Sequence, residues 1–322
     1  VMLVRKIIFM TLLVEFISGT LLAVYFYFKF GPMGIYLGYW HAVSAFTNCG
    51  LDIMGANAGF AKMAADPFVS TVIVVTMFLG GVGFMAADDF LRHRSWSGLS
   101  LNSKLIFLME AILIPLGTII FYNLEGNNPE TLGGLSTMEK WQSAVLMSVS
   151  SRLGGFAVFD IHSMLDQTVL LVMMFMFIGA APVSTGGGIR TTTIGLLFLS
   201  LYAWIRGKKD VVIFHKHVDP DCLVKASNVF TLAVVITFIT AFLVFVFEPM
   251  SFDFEDVMFE AVSAFSTVGF SMGLTGEWNT PCKIVLMIAM YIGRIGVMTL
   301  AITFASHHSR QLKYPKENII VG

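Results

Sequence analysis

The sequence predicts an all-α integral membrane protein assembled from tandem copies of one unit, and three observations predict it. The 322-residue chain is 56% hydrophobic and only 13% charged, far from the balance of soluble domains. Several apolar runs approach or exceed the about 20 residues that a spanning helix needs. The five letters AVSAF occur twice, at residues 42–46 and 261–265, and each copy runs into a glycine. The first continues Thr47-Asn48-Cys49-Gly50-Leu51, the second Ser266-Thr267-Val268-Gly269-Phe270. A weaker third copy, SVSSRLGGF, occupies residues 148–156.

Each of these segments is too short to cross a bilayer and ends at a glycine beside Phe or Leu. Glycine there suggests extended or left-handed backbone that a side chain would block. Irregular backbone at membrane depth is tolerated only where it is buried in protein or lines water. Three such segments suggest a pore lined by backbone carbonyls, the chemistry of an ion filter. The alternative is a tight re-entrant turn with no role toward an ion.

In chain order, residues 2–30 form a first span with Arg5 and Lys6 at its inner end and Glu15 at mid-depth. An intramembrane carboxylate is either functional or a structural partner of a neighbouring helix. Gly31-Pro32 breaks the run. Residues 36–46 form a short re-entrant helix, with Tyr39 and Trp40 suited to the outer interface. A glycine-rich loop (47–66) returns outward, and 68–90 is the second span. Residues 101–122 span next, carrying Glu110 and Pro115. The second re-entrant helix covers 141–150, and 151–156 is its filter-like end. Residues 169–204 are too long for one straight helix. Their middle, Ser184-Thr185-Gly186-Gly187-Gly188-Ile189-Arg190-Thr191-Thr192-Thr193, cannot hold an ordinary helix. A basic loop (206–220), a span (223–247), a third re-entrant helix (254–265), a last span (284–304) and a polar basic tail (307–322) complete the chain.

Lys and Arg concentrate in one set of loops, including Arg92, Arg94, Lys104, Arg206, Lys208, Lys209 and Lys216, so that face is cytoplasmic. The filter-like turns open on the acidic face, where Asp52, Asp66, Asp253, Glu255 and Asp256 are either ordinary loop charge or a means of concentrating cations. Net charge is −1, so no polyanion or nucleic-acid partner is implied. The three cysteines are scattered, with neither metal spacing nor a disulfide framework. The second spans align as well: Phe78-Leu79-Gly80, Phe177-Ile178-Gly179 and Tyr291-Ile292-Gly293 share one core. The units are therefore residues 1–98, 99–221 and 222–322, a repeat architecture facing one way.

Taken together, AVSAFSTVGFSMGLT with YIGRIGVMT, SRLGGF, STGGGIRTTT and WIRGKKDVVIF resemble the membrane subunit of the Ktr/Trk/HKT potassium transporters, nearest the KtrB type, over essentially the whole chain. The resemblance implies four units around one axial pore. The three visible here correspond to the second, third and fourth, and the first is expected upstream of Val1. It implies a potassium filter at Thr47, Asn48, Cys49 and Gly50, at Arg152, Leu153, Gly154 and Gly155, and at Ser266, Thr267, Val268 and Gly269. Arg152 is expected to brace its turn from behind. The sequence departs from the family at Leu51, Leu153 and Gly154. The resemblance also implies an intramembrane gate at Ser184, Thr185, Gly186, Gly187 and Gly188. Arg294 is either an electrostatic barrier below the filter or a packing salt bridge with an intramembrane glutamate.

By the same resemblance, the function is potassium uptake across the cell membrane, down the electrochemical gradient, with sodium stimulating it. A homodimer and a cytosolic ring of nucleotide-binding regulatory subunits are the implied partners. A secondary cation transporter with broken midplane helices would favour inverted repeats. A membrane-embedded enzyme would need a convergent set, which Glu15, Glu110, His41 and Ser184 do not form.

Overall fold

The computed structural model describes residues 2–54, 60–208, 210–248 and 252–299. The tail, including the bases at 310–316, and the end of the expected last span lie outside the described residues. Helix dominates, and one sequence of elements occurs three times: a long helix, a short buried helix ending in a glycine turn, and a helix that breaks.

The first set comprises α1 (Met2–Phe30), α2 (Met33–Phe46), the single turn α3 (Ala61–Ala64), α4 (Pro67–Gly81) and α5 (Phe84–His93). Gly34 and Gly38 put a small-residue stripe on α2. A Cβ at either would lie inside 3.0 Å of α1 backbone, at Phe26 and Ala23. Small residues are how helices without a hydrophobic driving force approach closely in lipid. Asp66 starts α4 by accepting from the Phe68 and Val69 N–H groups, with Pro67 at the first position.

The second set comprises α6 (Leu101–Glu125), α7 (Thr137–Ser150), α8 (Asp166–Phe177) and α9 (Thr191–Ile205). Ser136 and Glu139 form a reciprocal capping box at the start of α7. The third set comprises α10 (Pro220–Phe247), α11 (Phe254–Ser266) and α12 (Thr280–Ile295). Among the described residues, three helices are long and apolar enough to cross a membrane: Val4–Phe30, Leu101–Glu125 and Pro220–Phe247. Phe28, Phe238 and Phe242 project from them unburied, as side chains that face lipid do. The short helices are the opposite: α11 is buried along nearly its whole length.

Three local expectations change. The run 68–90 is not one straight helix: α4 and α5 meet at 96°. Gly83, with φ 89° and ψ 137°, makes the corner. The last run breaks the same way, because Gly296 ends α12 at φ 93° and ψ 131°. That conformation is open to glycine and strained for any other residue. In the middle set Pro182 stands at the same offset, three residues past the aligned glycine, and the chain leaves helix from Ile178 to Arg190. The basic loop is also more ordered than expected. It folds into a two-stranded hairpin, β1 (Val212–Ile213) against β2 (Lys216–His217). Phe214 at its tip packs on Trp96, with Lys104 over its ring. Lys6, Asp88 and Arg92 form a salt-bridged group elsewhere among the residues expected on the inner face.

Candidate functional site: three glycine turns and the broken helix beside them

The three turns following α2, α7 and α11 come together. Gly50, Gly155 and Gly269 all have positive φ, at 69°, 60° and 99°. Each faces the next turn through main chain alone. A Cβ at Gly50 would lie inside 3.0 Å of the Gly154 carbonyl oxygen, and one at Gly155 would meet the Val268 carbonyl oxygen as closely. One at Gly269 would sit 3.2 Å from the Cys49 carbonyl oxygen. The contacts close a circuit of peptide groups in which side chains have no room.

A serine in each short helix holds its turn. Ser44 Oγ donates to the Leu51 carbonyl at 2.9 Å, Ser150 Oγ to Phe156 at 2.8 Å and Ser263 Oγ to Phe270 at 2.6 Å. The acceptor is always the residue after the glycine. The middle turn is one residue shorter, with six residues from donor to acceptor against seven in the others. Sequence comparison had aligned the glycines and passed over these serines, although two of them lie in the repeated AVSAF.

The departures at Leu153 and Gly154 have a packing reason. A methyl at Gly154 would run into Met77 Sδ, and Leu153 fills the space above Gly81 that a side chain there would take. Both Met77 and Leu153 are buried. In the third turn the hydroxyls of Ser266 and Thr267 are buried without a hydrogen-bond partner among the described residues. Such oxygens are costly unless something else satisfies them.

Arg152 belongs to the middle turn by backbone only. Its side chain makes a bidentate pair with Glu110 of α6, Nη1 to Oε2 and Nη2 to Oε1, both at 2.9 Å. Both side chains are sealed, at 0% and 3% exposure. The guanidinium thus ties the turn to α6 and points its charge away from the other turns. Removing one partner of such a pair leaves an uncompensated buried charge, at a cost of about 3–5 kcal/mol. Glu110→Gln is therefore expected to lower the thermal unfolding midpoint of the detergent-solubilised protein by many degrees. A midpoint equal to the parent's would contradict this role.

The glycine-rich break packs beside the turns and is fastened on two sides. Toward the first set, Thr185 N–H donates to the Gly80 carbonyl at 3.2 Å, Ala181 N–H to Gly81 at 3.0 Å, and Phe84 N–H to Val183 at 3.0 Å. Asn48 is fully buried with φ 51°. Its side chain lies 2.9 Å from Thr185 Oγ1 and, with its amide oxygen toward that hydroxyl, also accepts from Gly81 N–H. Toward the third set, Gly187 lies where any side chain would strike Thr267 Oγ1 and the Ser266 carbonyl. Ser184 Oγ donates to Ala181 at 2.6 Å, and Arg190 Nη1 to Gly186 at 2.6 Å. The loop is a laced segment, not a simple kink. Thr185→Val removes the hydroxyl that meets Asn48 and lies beside the Phe46 and Gly80 carbonyls, and is expected to weaken the fastening to the first set, read as faster amide exchange at residues 184–188. Parent-like exchange would show that the link holds nothing.

Gly80 and Gly293 occupy equivalent places: a side chain on either would collide with the last carbonyls of the adjacent short helix, at Phe46 and Phe265. Gly179 faces Gly187 instead, so in the middle set the glycine-rich loop takes the place that a short helix occupies in the others. Arg294, one residue past Gly293, donates from Nη2 to the Thr47 carbonyl at 3.5 Å. Among the described residues it has no carboxylate partner, so the salt bridge with a glutamate is not found; that pairing belongs to Arg152. Arg190, which sequence reasoning passed over, is near enough to Arg294 for their charges to repel. Glu15 makes no hydrogen bond to a described residue and borders a shallow hollow with Phe16 and Tyr39.

In the segment after Gly50, burial works to raise the pKa of Asp52, but His41 and the Met54 and Phe60 N–H groups outweigh it and hold the carboxyl below its usual range.

With this geometry in hand, comparison with known proteins gives a consistent result. The profile of the TrkH cation transport protein family matches residues 1–313. The Ktr system potassium uptake protein B of Vibrio alginolyticus is 33% identical over 99% of this chain and 70% of its own length. The potassium/sodium uptake protein NtpJ of Enterococcus hirae is 32% identical over 96% of this chain and 69% of its own. Among solved structures, the potassium transporter TrkH of Vibrio parahaemolyticus superposes with a TM-score of 0.67 at 16% identity. The match covers 91% of this chain and 63% of that one, a likeness of fold.

Proposed function

The chain belongs to the TrkH family of cation transport proteins, and on that premise we propose that it is the pore-forming subunit of a potassium-uptake system of the cell membrane. The observation that carries the reading is the circuit of main chain at Gly50, Gly155 and Gly269. Peptide carbonyls gathered where no side chain fits can replace the water shell of a dehydrated alkali cation. The unpartnered Ser266 and Thr267 hydroxyls suit the same task, because they are oxygens and so match a hard monovalent ion.

In this reading the ion binds by exchanging water for carbonyl oxygen, and no covalent step is involved. The three glycine-ended helices deliver the turns, the serines hold their backbones, and Arg152 braces the middle turn through Glu110. The loop 184–188 closes the path on the inner side of the filter. Arg190 and Arg294 add positive potential there, which repels a cation until the loop moves. The basic inner face, including the hairpin, docks cytosolic nucleotide-binding regulatory subunits, and the chain pairs with a second copy.

The test is uptake of rubidium into proteoliposomes holding the full-length protein, driven by an inside-negative potential. The expected result is saturable uptake, suppressed by potassium far more than by sodium. Uptake indistinguishable from empty liposomes, or suppressed equally by both ions, would overturn the reading.

A further inference from the structure

The residue immediately before each AVSAF is polar and buried, and the two copies differ: His41 in the first, Glu260 in the third. Each reaches the residue two positions past its filter glycine. His41 Nε2 lies 2.9 Å from Asp52 Oδ1, and Ser271 Oγ donates to Glu260 Oε1 at 2.6 Å. Both links span eleven residues. The carboxylate in each link also accepts main-chain N–H from the outgoing segment. Asp52 takes those of Met54 and Phe60, at 2.8 and 2.5 Å, and Glu260 that of Met272 at 2.9 Å. The middle set has apolar Met147 and Ala157 at these two positions and is held through Arg152 instead.

The protons in the first link can be counted. His41 Nδ1 is 2.7 Å from the Leu37 carbonyl, which can only accept, so that nitrogen carries hydrogen. Nε2 faces a carboxylate that already takes two N–H groups, so it carries hydrogen too. The ring is buried among Phe26, Phe60 and Phe156. The first link is an imidazolium–carboxylate pair, the third a carboxylate gripped by hydroxyl and amide donors. The same place is filled by reversed chemistry: cation on the short helix and anion beyond the glycine in one, anion on the helix and donor beyond the glycine in the other.

We propose that His41–Asp52 and Glu260–Ser271 are equivalent struts, and that His41 and Glu260 are positioning residues that set the carbonyl geometry of their filter turns. A strut joins the helix before the glycine to the chain after it. With the serine bond it pins the turn at both ends, so its loss lets the carbonyls drift from the spacing that suits one ion. The inference rests on the conduction reading above.

The test exploits the exchange written in the chain. His41→Glu alone sets two carboxylates face to face in a buried site. His41→Glu with Asp52→Ser rebuilds the third strut in the first position. In rubidium-uptake assays the single variant is expected to raise KM by about tenfold or more, the scale of a lost hydrogen bond to a charged group, and to lose preference for potassium over sodium. The double variant is expected to recover most of both. Thermal unfolding of each purified variant separates a positional effect from lost protein. Should His41→Glu not assemble, the reciprocal exchange, Glu260→His with Ser271→Asp against Glu260→His alone, makes the same comparison. A double variant no better than its single, or a single variant equal to the parent, overturns the strut. A parent that takes up no rubidium sinks the conduction reading itself, which is a different outcome.

Discussion

Gly155→Ala is expected to abolish rubidium uptake while leaving the protein assembled. Two costs add at this position. An alanine at φ 60° is in the left-handed region, at about 1–2 kcal/mol. Its methyl would also land inside 3.0 Å of the Val268 carbonyl oxygen, and overpacking of that kind costs about 1–3 kcal/mol. The atom it strikes is backbone of the neighbouring turn, so the strain cannot be relieved by a side-chain rotation. The turn must move, and the oxygens that would hold the ion move with it. A fall in uptake of about 100-fold or more follows if the two costs act on ion binding. Gly269→Ser is expected to do less to uptake and more to choice. Its Cβ would sit 3.2 Å from the Cys49 carbonyl, a tight contact that a small shift relieves, and its hydroxyl adds an oxygen near the path. Discrimination of potassium over sodium is expected to weaken by about tenfold, the worth of one misplaced ligand. Selectivity equal to the parent's in Gly269→Ser, or normal uptake in Gly155→Ala, would count against carbonyl coordination.

Deleting Gly186 to Gly188 is expected to raise flux several-fold through the assembled transporter. Two of these residues carry the contacts that hold the loop beside the third turn: Gly187 against Ser266 and Thr267, and the Gly186 carbonyl under Arg190. The deletion removes the segment that fills the space below the turns. The helix ends at Phe177 and Thr191 remain, and Thr185 keeps its main-chain N–H bond to the Gly80 carbonyl. Flux is read as rubidium uptake per mole of monodisperse protein, which separates gate removal from lost assembly. Flux unchanged from the parent would remove the gate assignment.

Much of the fold was legible because the signals are local and periodic. The first span was expected over residues 2–30, and α1 covers Met2–Phe30. The AVSAF repeats located two of the buried short helices, and glycine after a short apolar run located their turns. The breaks at Gly83 and Gly296 were missed because both runs are apolar on either side of the corner, so hydropathy reads through it. The signal lay in the repeats: Gly80 to Gly83, Gly179 to Pro182 and Gly293 to Gly296 have one spacing. The hairpin at Phe214 was masked by the basic residues around it, which read equally as an unstructured cytoplasmic loop.

The site was legible at the level of backbone and much less at that of side chains. Glycine positions follow from what a turn requires of its own residues. The Arg152–Glu110 pair joins residues 42 apart, and Asn48–Thr185 joins residues 137 apart. Such pairs depend on which helix packs beside which turn, and a single sequence does not state that. Arg294 was considered for a glutamate partner on the sound ground that a buried guanidinium needs one. The argument was right in kind and applied to the wrong arginine. The His41–Asp52 and Glu260–Ser271 links are the opposite case: both span eleven residues inside a visible repeat, and comparison of the copies would have revealed them.

The central claim is that main-chain oxygens of the three turns together hold a dehydrated cation. Anomalous diffraction from crystals of the full-length protein grown with rubidium tests it most directly. The account predicts an anomalous peak between the carbonyls flanking Gly50, Gly155 and Gly269, within about 3 Å of several of them, and its loss in Gly155→Ala. Rubidium density only at acidic side chains on the outer face, with none between the turns, would contradict it.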